Sequence, residues 1–189
     1  MSGELAQDVT AVLSHHQLPK VAGHVSRVAQ EAKRLAVRFG ADAMGAETAG
    51  WLHDISGIIP NTARIDLCQA FNVPVLPGEA AYPMILHQKL SVVVAREVFG
   101  VMEPAVLSAI GCHTTLKAGA TLLDKIVFVA DKIKWDQPGE PPYLVEIETA
   151  VTHSIDDTCR VYLHYLWQQR DSLRYVHPWF VAAHKELAS

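Results

Sequence analysis

Four histidines and two aspartates occupy positions in this 189-residue sequence where helical segments would turn them inward. Each lies in an apolar helical stripe or close to a helix end. The six residues are His24, His53, Asp54, His87, His113 and Asp131. Because an ionised carboxylate is costly to bury alone, Asp131 in the apolar segment 127–133 requires a positive charge nearby. Imidazole and carboxylate groups suit divalent iron, manganese, cobalt or zinc, so the set indicates a buried metal site.

Each histidine taken singly has a plainer interpretation, a half-buried imidazole that hydrogen bonds a carbonyl group. Six such side chains together would leave a large polar cluster in the core unless a cation organised them. The three cysteines (Cys68, Cys112 and Cys159) have no CxxC spacing, which disfavours a structural zinc site. Adjacent helical residues point about 100° apart, so His53 can bind one ion terminally while Asp54 bridges two.

Helical periodicity runs through most of the chain and predicts the elements that position these side chains. Apolar residues spaced by three and four predict a helix over about 19–39, between Pro19 and Gly40. Asp42 caps a second helix, which should stop near Gly57. The other predicted helices cover about 83–99, a segment beginning at Pro104, and about 122–133, 143–152, 155–169 and 178–187.

The run 126–130 is where a buried strand competes with a helix, because β-branched residues cluster there. An apolar stripe at 3.6-residue spacing around this run favours a helix, with Thr121 as its cap. We therefore predict an all-α fold, a single domain over residues 1–189 with seven to nine helices. Its core should cover about 18–170, with a C-terminal helix at about 178–188.

Composition limits the class of protein. Hydrophobic residues make up 50% of the chain and charged residues 19%, which excludes disorder. The formal charge of -4 gives no basic surplus, so we expect no nucleic-acid or membrane partner. No apolar run approaches the roughly 20 residues that cross a bilayer, and we expect a cytoplasmic protein with reduced cysteines. The aromatic stretch 162–180 fits either the core or a homodimer interface.

The order and spacing of the six residues resemble the HD-domain metal-dependent phosphohydrolases, a family named for its histidine-aspartate dipeptide. The residues that match the naming pattern are His24, His53, Asp54 and Asp131. His87 and His113 resemble the extra ligands of members with two metal ions. The resemblance implies that the first four residues hold one ion, while Asp54 bridges to a second ion held by His87 and His113. The ions would be divalent transition metals, with iron as first choice and manganese, cobalt, nickel or zinc as alternatives.

Two sequence blocks are similar to the YqeK-type branch of that family. They are HTT at 113–115 and LDKIVFVAD at 123–131, and the whole resemblance covers about residues 18–170. Members of this branch are associated with symmetrical hydrolysis of diadenosine tetraphosphate to two ADP. The resemblance therefore implies a nucleotide or dinucleoside polyphosphate substrate, with Asp54 as the catalytic bridging ligand of a metal-activated water.

Four features depart from the pattern of the branch, one being the absence of an arginine that is often found shortly before the first histidine. Gly57 stands where a lysine is usual, Leu116 where a glycine is usual, and the segment 134–139 differs from the usual run. The six metal-binding positions match while these presumed polyphosphate contacts are altered. The alternatives are therefore a nucleotide monophosphatase or another pyrophosphohydrolase with the same metals, and a non-catalytic module that senses a nucleotide.

A nucleotide tail carries several negative charges, so cations and hydroxyl donors are expected beside the metals. The candidates for substrate contact are Arg27, Thr114, Thr115, Lys132 and Trp135. Arg27 lies one helical turn after His24 and is the first choice. The alternatives are a solvated flank for the two cations, helix capping for the threonines, and packing of the tryptophan against its own domain instead of a nucleobase.

Overall fold

The computed structural model describes residues 2–188, and every regular element in that range is helical. The α-helices are α1 (Leu5–His15), α2 (Pro19–Phe39), α3 (Ala43–Leu52), α4 (Arg64–Ala70), α5 (Pro77–Ala81), α6 (His87–Glu97), α7 (Pro104–Cys112), α8 (Leu122–Ile133), α9 (Leu144–Ala150), α10 (Ile155–Gln168) and α11 (Pro178–Leu187). Short 3-10 turns occupy Ile55–Ile58, Asn61–Ala63, Pro83–Leu86 and Arg170–Ser172. None of the described helices is both long enough and apolar enough to cross a membrane. The all-α prediction is confirmed.

The predicted number of seven to nine helices is wrong, because residues 2–188 contain eleven. The three helices without a prediction are α1, α4 and α5. Helices α4 and α5 have only seven and five residues, too few to display a 3.6-residue period. Helix α1 buries only Val9 and Leu13, so its apolar stripe is narrow. In addition, α3 ends at Leu52 instead of continuing towards Gly57.

The close crossing of α2 and α3 forms the centre of the fold. A Cβ atom added at Gly50 would lie 2.5 Å from the Cα atom of Ala29, so only glycine permits this approach of the two backbones. Gly40 ends α2 in the left-handed conformation, and Asp42 caps α3 by accepting a hydrogen bond from the Met44 amide. The crossing brings the end of α3 against the middle of α2.

Helix α8 packs beside α2 and α7, and a capping box fixes where it begins. The Thr121 hydroxyl accepts from the Asp124 amide at 3.2 Å, and the Asp124 carboxylate accepts from the Thr121 amide at 2.9 Å. Asp124 is fully buried and also accepts from the Ser108 hydroxyl of α7 at 2.7 Å. The cap therefore sets the position of Asp131, which lies two helical turns later.

A buried carboxylate, Glu79, links α5 to α6 and α11. Its oxygens accept from His177 Nε2 at 3.0 Å, from Lys89 Nζ at 2.7 Å and from the Leu76 amide at 2.7 Å. Burial alone would raise the pKa of Glu79, but these hydrogen bonds outweigh it and lower the pKa below its ordinary value. The carboxylate is therefore ionised in the folded chain and holds three elements together.

We expect Glu79→Gln to lower the free energy of unfolding by about 3 kcal/mol at pH 7, because it leaves the Lys89 ammonium buried without its charged partner. The folded-state pKa of Glu79 is depressed, so its stabilisation is present above the unfolded-state value of about 4.3 and is lost as the pH falls through the folded-state value. Urea denaturation at pH 7 and at acid pH measures both effects.

The matched control is Glu47→Gln, which removes a half-exposed partner of Lys33 and should cost less than about 1 kcal/mol. Equal urea midpoints for the two variants at pH 7, or a Glu79→Gln penalty that grows as the pH falls, would contradict this account.

Candidate metal centre

The six residues that the sequence singles out come together in space, although separate elements supply them. They are His24 in α2, His53 and Asp54 just after α3, His87 at the first residue of α6, His113 just after α7, and Asp131 in α8. His53 and His113 are almost completely buried, and the Asp54 side chain is 27% exposed. The cluster therefore lies at the base of an opening, with the bridging candidate nearest to solvent.

Main-chain carbonyl groups fix all four imidazole rings. Each ring places Nδ1 within hydrogen-bond distance of one carbonyl oxygen. The pairs are His24 with Lys134 (3.0 Å), His53 with Gly50 (2.7 Å), His87 with Met84 (2.8 Å) and His113 with Ile110 (2.8 Å). Since a carbonyl only accepts, each Nδ1 must carry the proton, and in the neutral ring Nε2 is then a bare acceptor. This is the arrangement that metal-binding histidines adopt.

The bare Nε2 atoms face one another in two pairs. His24 and His53 bring their Nε2 atoms to 3.2 Å, and His87 and His113 bring theirs to 3.1 Å. With neutral rings and the protons on Nδ1, lone pair faces lone pair in both contacts, an unfavourable arrangement unless a metal ion or a further proton lies between the two nitrogens. The donor set therefore fits divalent transition-metal ions.

Asp54 lies between the two pairs and presents one oxygen to each. Its Oδ2 is 3.5 Å from His53 Nε2 and 3.9 Å from His24 Nε2. Its Oδ1 is 3.5 Å from His87 Nε2 and 3.4 Å from His113 Nε2. This is the placement that a bridging carboxylate requires.

Asp131 joins only the first pair. Its Oδ1 is 3.0 Å from His24 Nε2 and 3.6 Å from His53 Nε2. We call His24, His53, Asp131 and Asp54 Oδ2 the first set, and His87, His113 and Asp54 Oδ1 the second set. The first set offers four donors and the second set three.

The electrostatics of the cluster call for positive charge. Burial alone would raise the pKa values of Asp54 and Asp131, but neighbouring cationic and hydrogen-bonding groups hold both well below the ordinary value. Burial lowers the pKa of His87 to about 4 and also lowers that of His113. Burial opposes a proton on His53 too, yet the charges of Asp54 and Asp131 raise its pKa to about 9. The carboxylates are therefore ionised and the imidazoles of the second set are neutral, while a proton on His53 occupies, in the first set, the place that a metal ion would take.

Two cavities meet at this cluster. Lys20 and Arg27 line the first, of about 400 Å³, and Arg64 and Lys132 line the second, of about 370 Å³. The wall residues that both cavities share are Val21, His24, Asp54 and Asp136. The metal-binding candidates are therefore approached from two sides, each with basic side chains.

Three of the predicted substrate contacts lie in these cavities. Arg27 lines the first cavity, and Thr114 and Lys132 line the second. Lys132 is 8% exposed, donates from Nζ to Asp131 Oδ2 at 2.6 Å, and lies 5.2 Å from the Tyr162 ring centre. Its charge is therefore already close to one of the candidate ligands.

The other two predicted contacts, Thr115 and Trp135, line neither cavity. The buried Thr115 hydroxyl lies 2.9 Å from the Leu116 carbonyl oxygen and 3.3 Å from Gln88 Oε1. The Trp135 ring packs edge to face against Tyr143, with ring centres 5.8 Å apart. This geometry matches the alternative interpretation of the tryptophan, packing against its own domain.

The HD-domain family model matches residues 21–136, which is more than half of the chain and contains all six candidate ligands. The chain belongs to the HD-domain family.

This HD-domain protein is similar in sequence to several bacterial proteins. It is 41% identical over 142 residues to a Lactococcus lactis subsp. cremoris protein known from the pepC 5′ region, covering 75% of this chain and 72% of that protein. It is 32% identical over 111 residues to the symmetrical bis(5′-nucleosyl)-tetraphosphatase of Bacillus subtilis, and the match covers 59% of each chain. The enzyme of that name from Staphylococcus aureus is 30% identical over 124 residues, 65% of this chain and 63% of that enzyme.

A solved structure shares the fold. A predicted HD superfamily hydrolase involved in NAD metabolism, from Clostridium acetobutylicum, superposes with a TM-score of 0.88 at 24% identity. The superposition covers 96% of each chain, so almost the whole helical arrangement of this HD-domain protein is shared.

Leu116 shows how this HD domain accommodates one of its sequence departures. Its φ angle is 54°, in the left-handed region that favours glycine, and its side chain is fully buried. The backbone strain costs about 1–3 kcal/mol, and burial of a leucine contributes a similar amount. The leucine is therefore compatible with the backbone conformation that a glycine would adopt here.

Arg64 lines the second cavity, although its sequence position did not mark it as a candidate. Gly57, where a lysine is usual, also lines the second cavity, so no side chain fills that part of the wall. Arg64 reaches the same cavity, is 7% exposed, and donates to the carbonyl oxygens of Ile59 (3.2 Å) and Met84 (2.6 Å). The sequence feature that could have indicated Arg64 is Gly57, because the absence of the usual lysine there suggests that another basic residue supplies the positive charge.

Proposed function

We propose that this HD-domain protein is a metal-dependent phosphohydrolase of dinucleoside polyphosphates, and that its leading reaction is symmetrical cleavage of diadenosine tetraphosphate to two ADP. The observation that carries the proposal is the Asp54 carboxylate, which lies between two pairs of imidazole Nε2 atoms and presents one oxygen to each pair. The names of the Bacillus subtilis and Staphylococcus aureus relatives support the substrate. The same centre in a nucleotide monophosphatase or another pyrophosphohydrolase is the second candidate.

The first set would hold one ion and the second set the other, with Asp54 shared between them. Iron is proposed first, and manganese, cobalt, nickel and zinc are the alternatives because these ligand types accept all of them. Bound ions of this kind lower the pKa of a coordinated water and neutralise charge on phosphate oxygens. The chain itself orients the donors, since each imidazole is fixed by a carbonyl and Asp131 is also held by Lys132.

The basic side chains of the two cavities suit a substrate with negative charge on both sides of the cleaved bond. Arg27 lies on one side of the cluster, and Arg64 and Lys132 lie on the other. A tetraphosphate bridge that crosses the cluster at its centre would place two phosphates in each cavity. Guanidinium groups bind phosphate oxygens in fixed geometry, so the two arginines are proposed to align the chain of phosphates.

We expect Arg64→Gln to raise KM for the polyphosphate about tenfold to a hundredfold, because a charge-assisted hydrogen bond contributes about 1.5–3 kcal/mol. Metal content should stay at the wild-type value, since Arg64 is not a candidate ligand. Steady-state kinetics together with metal analysis checks both statements. Arg64→Lys, which keeps the charge, should recover part of the loss. An unchanged KM in Arg64→Gln would leave Arg64 with only its two carbonyl contacts as a role.

A substrate panel tests the function itself. Metal-loaded protein is incubated with diadenosine tetraphosphate, ATP, ADP and AMP, and the products are separated by chromatography. Two ADP as the sole products of diadenosine tetraphosphate are expected. AMP with ATP would indicate asymmetrical cleavage, and phosphate released from AMP would favour a monophosphatase. Binding of a nucleotide without any product would favour the sensing module.

We also propose a domain organisation, a cellular location and a partner for this protein. One cluster of buried apolar residues runs from Val9 to Ala183, which supports a single HD-type domain. The three cysteines are free and buried, which supports a cytoplasmic location, where thiols stay reduced. The proposed partner is a small-molecule nucleotide.

A further inference from the structure

We propose that the Thr114 hydroxyl is a further ligand of the ion in the second set, and that Gln88 is the residue that holds it in position. This inference rests on the metal centre of the proposed function. It assigns Thr114 to the metal instead of to the substrate.

The distances among three donor atoms carry the inference. Thr114 Oγ1 lies 2.9 Å from His87 Nε2 and 3.0 Å from His113 Nε2, and the two nitrogens are 3.1 Å apart. The three atoms form a nearly equilateral triangle. Neighbouring ligands of an octahedral ion with bonds of about 2.1 Å lie about 3.0 Å apart, so the triangle matches one face of such a coordination shell.

Hydrogen bonds among these three groups cannot explain all of the short distances in the triangle. The Nδ1 atoms of His87 and His113 donate to the carbonyl oxygens of Met84 and Ile110, which leaves both Nε2 atoms as acceptors. The Thr114 hydroxyl has a single proton, so it can donate to one of the two nitrogens only. The remaining contacts set lone pair against lone pair. A cation bound to all three atoms removes that conflict.

With Thr114 as a ligand, the two sets would also have the same number of donor atoms. The first set has four donors, because Asp131 adds an oxygen to His24, His53 and Asp54 Oδ2. The second set has three without Thr114. A neutral hydroxyl raises it to four and adds no charge.

Gln88 fixes the segment that carries this hydroxyl. Its side chain is fully buried, and Oε1 accepts from the Thr114 amide at 3.3 Å and lies 3.3 Å from the Thr115 hydroxyl. Its Nε2 atom has no hydrogen-bond partner among the residues that the structure describes. Turning the amide round would aim N–H at the N–H of Thr114. The chain therefore tolerates an unsatisfied donor to keep Oε1 on Thr114, which defines Gln88 as a positioning residue.

The experiment compares Thr114→Val, which keeps the shape and removes the hydroxyl, with Thr114→Ser, which keeps the hydroxyl. Apo protein is titrated with Co²⁺, and affinity for each ion is read from the visible absorption of the bound cobalt and from elemental analysis after dialysis. We expect Thr114→Val to bind the second ion at least tenfold more weakly, with the first ion unchanged. Thr114→Ser should bind both ions as the wild type does, and Gln88→Leu should weaken the second ion to a smaller extent.

Wild-type affinity for both ions in Thr114→Val, with only KM for the nucleotide raised, would overturn the inference and return the hydroxyl to the substrate. Thr114→Ala serves the same comparison if the valine variant fails to fold. The cobalt titration needs no substrate. A wild-type protein that binds two ions but hydrolyses nothing in the panel would therefore contradict the proposed function while leaving the Thr114 result to stand by itself.

Discussion

Asp54→Asn is expected to lower kcat/KM at least about a thousandfold, which corresponds to about 4 kcal/mol of transition-state stabilisation. The asparagine has one oxygen where the aspartate has two, and its amide group carries no negative charge. One histidine pair would therefore face an NH₂ group in place of a carboxylate oxygen. We expect elemental analysis of the purified variant to give no more than one ion per chain, where the wild type gives two.

Asp156→Asn is the matched control for this variant. Asp156 lies on α10, is half-exposed and pairs with Lys125 on the surface, so its loss should leave both metal content and rate at wild-type values. An Asp54→Asn protein that keeps two ions and turns over the substrate would contradict the bridging role. Measuring both variants in the same metal-loaded buffer separates the loss of a ligand from a general loss of charge.

The second large effect concerns which of the two ions each ligand variant retains. We expect His87→Ala to retain about one ion per chain, because the first set keeps all four of its donors. His24→Ala removes a donor from that first set, so the ion that remains should lie in the second set, which lacks the Asp131 carboxylate and should bind it more weakly. Both variants should lose at least about a hundredfold in rate, since each breaks the pair of ions.

Thermal unfolding with and without added metal distinguishes these two variants. A ligand at a hundred times its Kd stabilises the folded state by about 2.7 kcal/mol, so wild type and His87→Ala should melt at higher temperature when metal is added. The first set joins α2 to α8, and the gain should be clearly smaller in His24→Ala. Loss of both ions in both variants would instead show that the sets bind as one cooperative unit.

The long helices could be predicted from sequence because each has both a periodic stripe and an end signal. In the structure, α2 ends just before Gly40, α3 begins after Asp42, and α8 begins after Thr121. Helices α4 and α5 lack a periodic stripe because each is shorter than two turns, although Pro77 marks the start of α5. The predicted helix over 83–99 is α-helical only from His87, because Pro83–Leu86 forms a 3-10 turn.

The candidate ligands could be predicted because few residue types bind transition metals and buried aspartates are rare. The places of Arg64 and Gln88 could not be predicted, because they depend on where a short helix and the Thr114 amide lie in space. Arg64 reaches the cavity only through the fold of α4. Thr115 is predicted as a substrate contact together with Thr114, which it follows in sequence, but its side chain points to Gln88 and away from the cavities.

The carbonyl groups that hold the four rings have a consequence for how this protein tolerates mutation. For three of the rings the carbonyl belongs to the residue three places earlier, and for His24 it belongs to Lys134. No side-chain substitution removes a carbonyl oxygen. The segment 134–139 can therefore change its residues through evolution while the His24 ring keeps its orientation, provided that the path of the chain is retained. Substitution of each neighbouring side chain in turn should therefore change the orientation of an imidazole ring in few variants, because main-chain carbonyl groups hold the rings.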